Sequence, residues 1–139
     1  MGLHRINDKA REKIARIKFL LFDVDGVLTD GALLFGPDGS EYKSFSAQDG
    51  LGFALARRAG FKTGLITART SRVVERRAQE LKIDVLFQGN DDKNPAFETL
   101  LKQFDMVPQE IAFMGDDLLD LVLIRRAGFT ASPSNRRVE

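Results

Sequence analysis

Two acidic residues one apart, Asp23 and Asp25, close an apolar run and meet a glycine in Phe22-Asp-Val-Asp-Gly26. Close carboxylates repel unless a cation or a proton stands between them, so the pair asks for a divalent metal or a shared proton. Later in the chain, Thr67 ends a second apolar run with Arg69 just beyond it, and Lys93 precedes a helix-like stretch. Gly115-Asp116-Asp117 ends another apolar run, with Asp120 one helical step further on. Carboxylates hold Mg²⁺, a hydroxyl and an ammonium hold phosphate oxygens, and a carboxylate can itself attack phosphorus to give an aspartyl phosphate. Each residue alone has a plainer use: Asp and Gly in a turn, Thr67 as a strand end, Lys93 in solvent, Asp116 and Asp117 as acids opening a helix. Their joint order at successive run ends points to phosphoryl chemistry.

What the chain lacks narrows the chemistry further. It has no cysteine, so it holds no disulfide, no thiolate nucleophile and no Cys-ligated zinc. Its one histidine, His4, falls in a charged N-terminal arm, which removes a Ser-His-Asp triad and a His-rich metal site. Catalysis must run on carboxylates, hydroxyls, lysine and arginine. With 21 basic and 20 acidic residues the formal net charge is +1, which argues against a nucleic-acid binder working through a basic field. No run approaches the roughly eighteen apolar residues of a membrane span, and the charged N-terminus does not read as a signal peptide. The expectation is a cytoplasmic protein without a membrane or nucleic-acid partner.

The elements that must position these groups alternate. Asn7 to Arg16 carries Ala10 and Ile14 at helical spacing, with Ile17 following, which predicts a short amphipathic helix. Lys18-Phe-Leu-Leu-Phe22 reads as a central parallel strand buried on both faces, with Asp23 and Asp25 at its carboxyl end. Side chains two apart on a strand point the same way, so both would reach one site. Residues 32–45 read as a β-hairpin around Gly36-Pro-Asp-Gly39, with more apolar groups than a free-standing flap would carry. Helices over 49–58, from Ser71 to about Leu81, over 94–104 and over 118–126 alternate with strands at 61–67, 84–87, 111–115 and from Phe129. Asn94 is the expected cap of the third of these helices, with Pro95 at its first position. The repeated Arg-Arg-Ala-Gly-Phe at 57–61 and 125–129 reads as two helix ends facing solvent. The pattern predicts one domain over 1–139, an α/β doubly wound parallel sheet with ligand groups converging at the carboxyl edge. At this size it buries roughly two-thirds of its unfolded surface.

Phe22-Asp-Val-Asp-Gly-Val-Leu-Thr-Asp30 resembles the first motif of haloacid dehalogenase-type phosphatases. Ile66-Thr-Ala-Arg69 is similar to the second, Lys93 to the third and Gly115-Asp-Asp-Leu-Leu-Asp120 to the fourth. The continuation Leu28-Thr-Asp-Gly31, the hairpin, Gln48-Asp-Gly50, Gln88-Gly89 and Ala96-Phe97 resemble 3-deoxy-D-manno-octulosonate 8-phosphate phosphatases in particular. The resemblance implies Asp23 as nucleophile and Asp25 as general acid and base. It implies Mg²⁺ on the side chains of Asp23 and Asp116 and the backbone carbonyl of Asp25, and Thr67 and Lys93 on the phosphoryl group. Asp117 and Asp120 would support the metal water or Lys93, and Arg69 would contact substrate. It also implies a homotetramer with hairpins meeting at its centre.

The intervals from Asp25 to Thr67 and from Thr67 to Lys93 are used up by the hairpin, two helices and short strands, so no cap domain fits. An uncapped site is open to water, which weakens the electrostatics of phosphoryl transfer, and a neighbouring subunit is the expected cover. Members of the family typically continue with a helix, a strand and a glycine-bearing tail, whereas this sequence closes on Arg136-Arg-Val-Glu139. Three other readings use the same residues. They are a phosphatase for a nonulosonate 9-phosphate, a non-catalytic phosphatase-like oligomerisation module, and a receiver domain. A receiver needs its acceptor Asp after the third strand, where this chain has Phe87-Gln-Gly89.

Overall fold

A computed structural model describes residues 6–134; His4 and the closing Arg136-Arg-Val-Glu139 lie outside them. The order is α1 (Asp8–Ile14), β1 (Phe19–Phe22), β2 (Leu34–Phe35), β3 (Glu41–Tyr42), α2 (Ala47–Arg58), β4 (Lys62–Thr67), α3 (Arg72–Glu80), β5 (Val85–Gln88), α4 (Asn94–Gln103), β6 (Ile111–Met114), α5 (Leu121–Arg126) and β7 (Phe129–Ala131). Five strands form a parallel sheet in the order β5-β4-β1-β6-β7, and β2 pairs with β3 as a separate antiparallel hairpin. The chain walks outward from β1 to β5, then crosses back over to β6, so β1 and β6 are neighbours at the point where the winding reverses. In such sheets that point, beyond the carboxyl ends, is where ligands sit. Among the described residues no cap domain interrupts the order, and no helix is long and apolar enough to cross a membrane.

Two apolar clusters fix the sheet. Phe19 and Leu21 of β1 pack with Ile66, Ile111, Phe113, the α4 residues Phe97, Leu100 and Leu101, and Leu123 of α5. On the opposite face Leu65 of β4 packs with Phe53 of α2, Val74 and Ala78 of α3, and Val24, Leu28 and Leu81. Neighbouring Leu65 and Ile66 thus serve opposite faces, as strand alternation requires. Truncating Leu100, which is fully buried, would cost about 2–5 kcal/mol.

The expectation that β1 is buried on both faces is corrected. Phe19 and Leu21 are buried, while Leu20 and Phe22 are half-buried. On that second side the clustered helices α2 and α3 lie toward β4 and β5. Leu20, Phe22, Ala112, Met114, Phe129 and Ala131 are left along an apolar cleft of about 280 Å³, with Ile14 and Ile17 at its side. α1 is accordingly less amphipathic in practice than its spacing suggests, since none of its residues is buried.

Helix boundaries follow their caps. Ser46 Oγ accepts the Gln48 N–H, so α2 begins before Asp49, and Ser71 Oγ accepts the Val74 N–H at the start of α3. The two Arg-Arg-Ala-Gly-Phe helix ends differ. Gly60 leaves α2 with φ +92°, a left-handed exit. Gly128 instead admits the backbone of Gln109, and its N–H donates to the carbonyls of Pro108 and Ile111. Arg126 is not a solvated end either: it stacks over Phe97, pairs with Glu98 and donates to Asn94 Oδ1. That contact takes the Asn94 side chain away from capping, and Lys93 becomes the residue preceding α4.

Candidate active site

β1 ends at Phe22, but the next N–H, that of Asp23, still donates to the Met114 carbonyl at 2.9 Å. The ladder therefore pins Asp23 at the carboxyl edge. The chain then turns sharply: the Val24 carbonyl accepts from Val27, Leu28 and Thr29, and Thr29 Oγ1 accepts from the N–H groups of Gly26 and Gly31. Asp25 lies in this turn rather than on the strand, so strand alternation is not what aims it. Gly26, at φ +83°, passes beneath Asp116, and any Cβ there would collide with the Asp116 carboxylate. The glycine after the acidic pair is thus required twice, by its backbone angle and by the close approach.

Asp23 is buried, and its Oδ1 lies 3.1 Å from the ammonium of Lys93. Lys93 also donates to Asp120 Oδ1 at 2.5 Å. Asp120 is fully buried, and its other oxygen accepts the N–H groups of Asp116 and Asp117 at 3.2 Å each. Both Asp120 oxygens are therefore engaged. Asp23, Asp116 and Asp120 bring carboxylate oxygens within 4.8 Å of one another. Asp23 and Asp116 face each other closely enough to share a hydrogen bond.

The electrostatics reflect this crowding. Burial pushes the Asp23 carboxyl up to about 7, with Lys93 pulling it down and Asp120 raising it further. Burial, then Asp120 and Asp117, raise Asp116 as well. Burial would depress the Lys93 ammonium, but Asp23 and Asp120 outweigh it and hold it above the ordinary lysine value. Two carboxyls raised by burial and by the neighbouring Asp120, with oxygens that converge, form a donor set suited to a hard divalent cation. Asp23 and Asp116 fit that role; Asp120, bonded to Lys93 and two amides, fits the role of fixing Lys93 and the turn.

The other sequence-derived candidates are placed as follows. Thr67 is buried at the end of β4; its register, two past the Phe22–Leu65 pair, sets it level with Val24. Its hydroxyl accepts the Arg69 N–H at 3.3 Å. Asp117 is exposed and its Oδ1 accepts the Leu118 N–H, so it opens the turn of residues 118–120 rather than bonding Lys93. Arg69 is part-exposed with its guanidinium 3.9 Å from Glu41 on the hairpin. Asp25 Oδ1 accepts from Lys43 Nζ at 2.7 Å. Lys43 escaped sequence reasoning. The signal available was the polar pair Glu41 and Lys43, two apart on a hairpin arm whose intervening Tyr42 faces solvent.

Comparison with known proteins follows the same lines. No family model matches the chain. It is 37% identical over 120 residues to the 3-deoxy-D-manno-octulosonate 8-phosphate phosphatase KdsC of Escherichia coli (strain K12), covering 86% of this chain. The chain spans 64% of that relative's length. A probable yrbi family phosphatase from Pseudomonas syringae superposes with a TM-score of 0.90 at 42% identity, over 94% of this chain and 74% of that one. The 3-deoxy-D-manno-octulosonate 8-phosphate phosphatase of Moraxella catarrhalis was solved in complex with magnesium, phosphate and KDO. It superposes with a TM-score of 0.87 at 41% identity, over 91% and 73% of the two chains.

Proposed function

This chain belongs to the 3-deoxy-D-manno-octulosonate 8-phosphate phosphatase family of haloacid dehalogenase-type hydrolases, and from that premise we propose that it is a Mg²⁺-dependent phosphomonoesterase acting on a sugar-acid phosphate. The first candidate substrate is 3-deoxy-D-manno-octulosonate 8-phosphate. The observation that carries the reading is the buried Asp23 carboxylate, placed between the Lys93 ammonium and the facing Asp116 carboxylate. A nucleophile, a cation for phosphate and a metal-ligating pair lie within one cluster.

Asp23 attacks phosphorus with a carboxylate oxygen, and the bond from phosphorus to the sugar oxygen breaks as the Asp25 carboxyl gives that oxygen its proton. Asp25, now ionised, takes a proton from water as the water oxygen attacks the aspartyl phosphate. The bond from phosphorus to Asp23 breaks, inorganic phosphate leaves, and both carboxyls return to their starting states. Thr67 and Lys93 hold the phosphoryl oxygens through both displacements. The residues that would hold Mg²⁺ are the side chains of Asp23 and Asp116 and the backbone carbonyl of Asp25, and when bound it supplies charge neutralisation to the phosphoryl oxygens. Arg69, at the mouth beside Glu41, is assigned to the sugar acid's carboxylate, a pairing its planar fork suits.

The hairpin supports a homotetramer: Leu33, Leu34, Phe35 and Tyr42 are each at least half exposed, a patch expected to be covered by another subunit. A cytoplasmic location accompanies the reading, since a cysteine-free domain needs no oxidising compartment. Phosphate release with Mg²⁺ across a panel of sugar phosphates, including the octulosonate 8-phosphate and a nonulosonate 9-phosphate, tests it. Selective release from the first is the expected result; preference for the second reassigns the substrate, and release from none overturns the activity.

A further inference from the structure

The hairpin carries two unlike sets of side chains. Leu34, Phe35 and Tyr42 are exposed on it, whereas the Lys43 side chain just beyond β3 is almost wholly buried, at 1% exposure. Its ammonium lies 2.7 Å from Asp25 Oδ1 and 3.0 Å from Glu41 Oε1. The Arg69 guanidinium lies 3.9 Å from the same Glu41 oxygen. Four charged groups thus run in a line from the exposed rim to the acid–base carboxyl: Arg69, Glu41, Lys43, Asp25. A lysine is seldom buried this far unless its charge is matched, and here two carboxylates match it.

We propose that Lys43 is a positioning residue for Asp25: delivered by the hairpin and steadied by Glu41, it takes up Oδ1 of Asp25 and leaves Oδ2 as the oxygen that exchanges protons with substrate and water. The inference rests on the phosphatase reading above. Within that reaction Lys43 exchanges no proton. The proton on Oδ2 goes to the sugar oxygen as its bond to phosphorus breaks, and Oδ2 later receives one from the attacking water. Without the ammonium the Asp25 side chain, half-buried in its turn, loses the contact that fixes Oδ1. Proton delivery then becomes a matter of chance orientation, and orientation is where much of the rate of such steps resides. The hairpin therefore acts on the acid–base step through the contact of Lys43 with Asp25.

The dependence on a proton donor gives the role a signature. A 4-nitrophenolate leaves without an acid, whereas a sugar alkoxide does not. kcat/KM, which reports steps up to the first irreversible one, is measured with Mg²⁺ for 4-nitrophenyl phosphate and for the best sugar phosphate. Wild type, Lys43→Met and Lys43→Arg are compared, with Tyr42→Ser as a hairpin variant that leaves the ammonium in place. The expected result is that Lys43→Met lowers kcat/KM for the sugar phosphate at least about tenfold more than for the aryl phosphate. Lys43→Arg restores the ratio to within about threefold, and Tyr42→Ser leaves it unchanged. Equal losses on both substrates, or no loss, overturn the inference while leaving the phosphatase reading standing. A wild type that hydrolyses neither substrate overturns that reading and the inference with it.

Discussion

The catalytic cluster and the hairpin beside it are held in opposite ways. Asp23, Lys93 and Asp120 are buried between β1, the start of α4 and the turn after β6, and every charge meets another within about a hydrogen bond's length. The hairpin contributes two strand residues per arm, and is anchored by the Lys43 ammonium and by Phe45 at its end, which packs against the second apolar cluster. The first region is completed by the chain's own core; the second presents Leu34, Phe35 and Tyr42 outward. A site that makes and breaks a covalent bond needs fixed charges, which a packed sheet edge provides. Covering that site needs surface that can meet something else. The chain divides these two tasks between the sheet and the hairpin.

Removing the metal should break the comparison most severely. With excess EDTA, hydrolysis is expected to fall at least about a thousandfold, because the phosphoryl oxygens then lose the charge neutralisation that the cation supplies. Re-addition of Mg²⁺ should restore it, and full turnover in chelator would show that the buried cluster works without a cation.

Next in size is Asp120→Ala. It strips Lys93 of its shortest contact and frees two amides, so unfolding in urea should register a loss of about 3–5 kcal/mol. A loss under about 1 kcal/mol would mean that the cluster is no more tightly built than the hairpin.

Gly26→Ala sharpens the account of how the cluster is packed. The left-handed backbone alone costs about 1–2 kcal/mol, and the added methyl must push Asp116 aside. Calorimetric titration should find Mg²⁺ bound more weakly than in wild type by about tenfold, a change of about 1.4 kcal/mol. Unchanged affinity would move the second metal carboxylate away from Asp116.

The smallest effect on stability belongs to the hairpin. Leu34→Ser with Phe35→Ser removes exposed apolar surface and should alter the unfolding of the separate subunit by less than about 0.5 kcal/mol per site. The same protein should sediment as a smaller species than wild type. Wild-type sedimentation as a monomer at micromolar concentration would contradict the tetramer.

How far the residues could be read in advance follows the same division. The sheet was legible because β1, β4, β5, β6 and β7 are short apolar runs ended by glycine or polar groups, and each forms near its expected bounds. The approach of Asp23, Asp116, Asp120 and Lys93 was legible because a parallel sheet brings strand ends to one edge. The half-covered side of β1 was not, since strand periodicity cannot say which helices lie over which strands. The placement of Asp25 in a turn and its partner Lys43 were not either. That contact joins positions 18 apart through a hairpin whose docking depends on three-dimensional packing. Likewise Arg126 looked like a helix-end cation, and only the α4–α5 contact reveals its place over Phe97.

The account turns on Asp23 forming the bond to phosphorus while Asp25 moves protons. Asp25→Asn protein, mixed with 4-nitrophenyl phosphate and Mg²⁺ and quenched in acid, should accumulate a covalent phosphoryl group, since the first displacement then needs no acid but the second lacks its base. Peptide mass spectrometry is predicted to place that group on Asp23, with none in the Asp23→Asn protein, which should also show no turnover. A phosphoryl group on any other residue, or hydrolysis by the Asp23→Asn protein at the wild-type rate, would contradict the assignment.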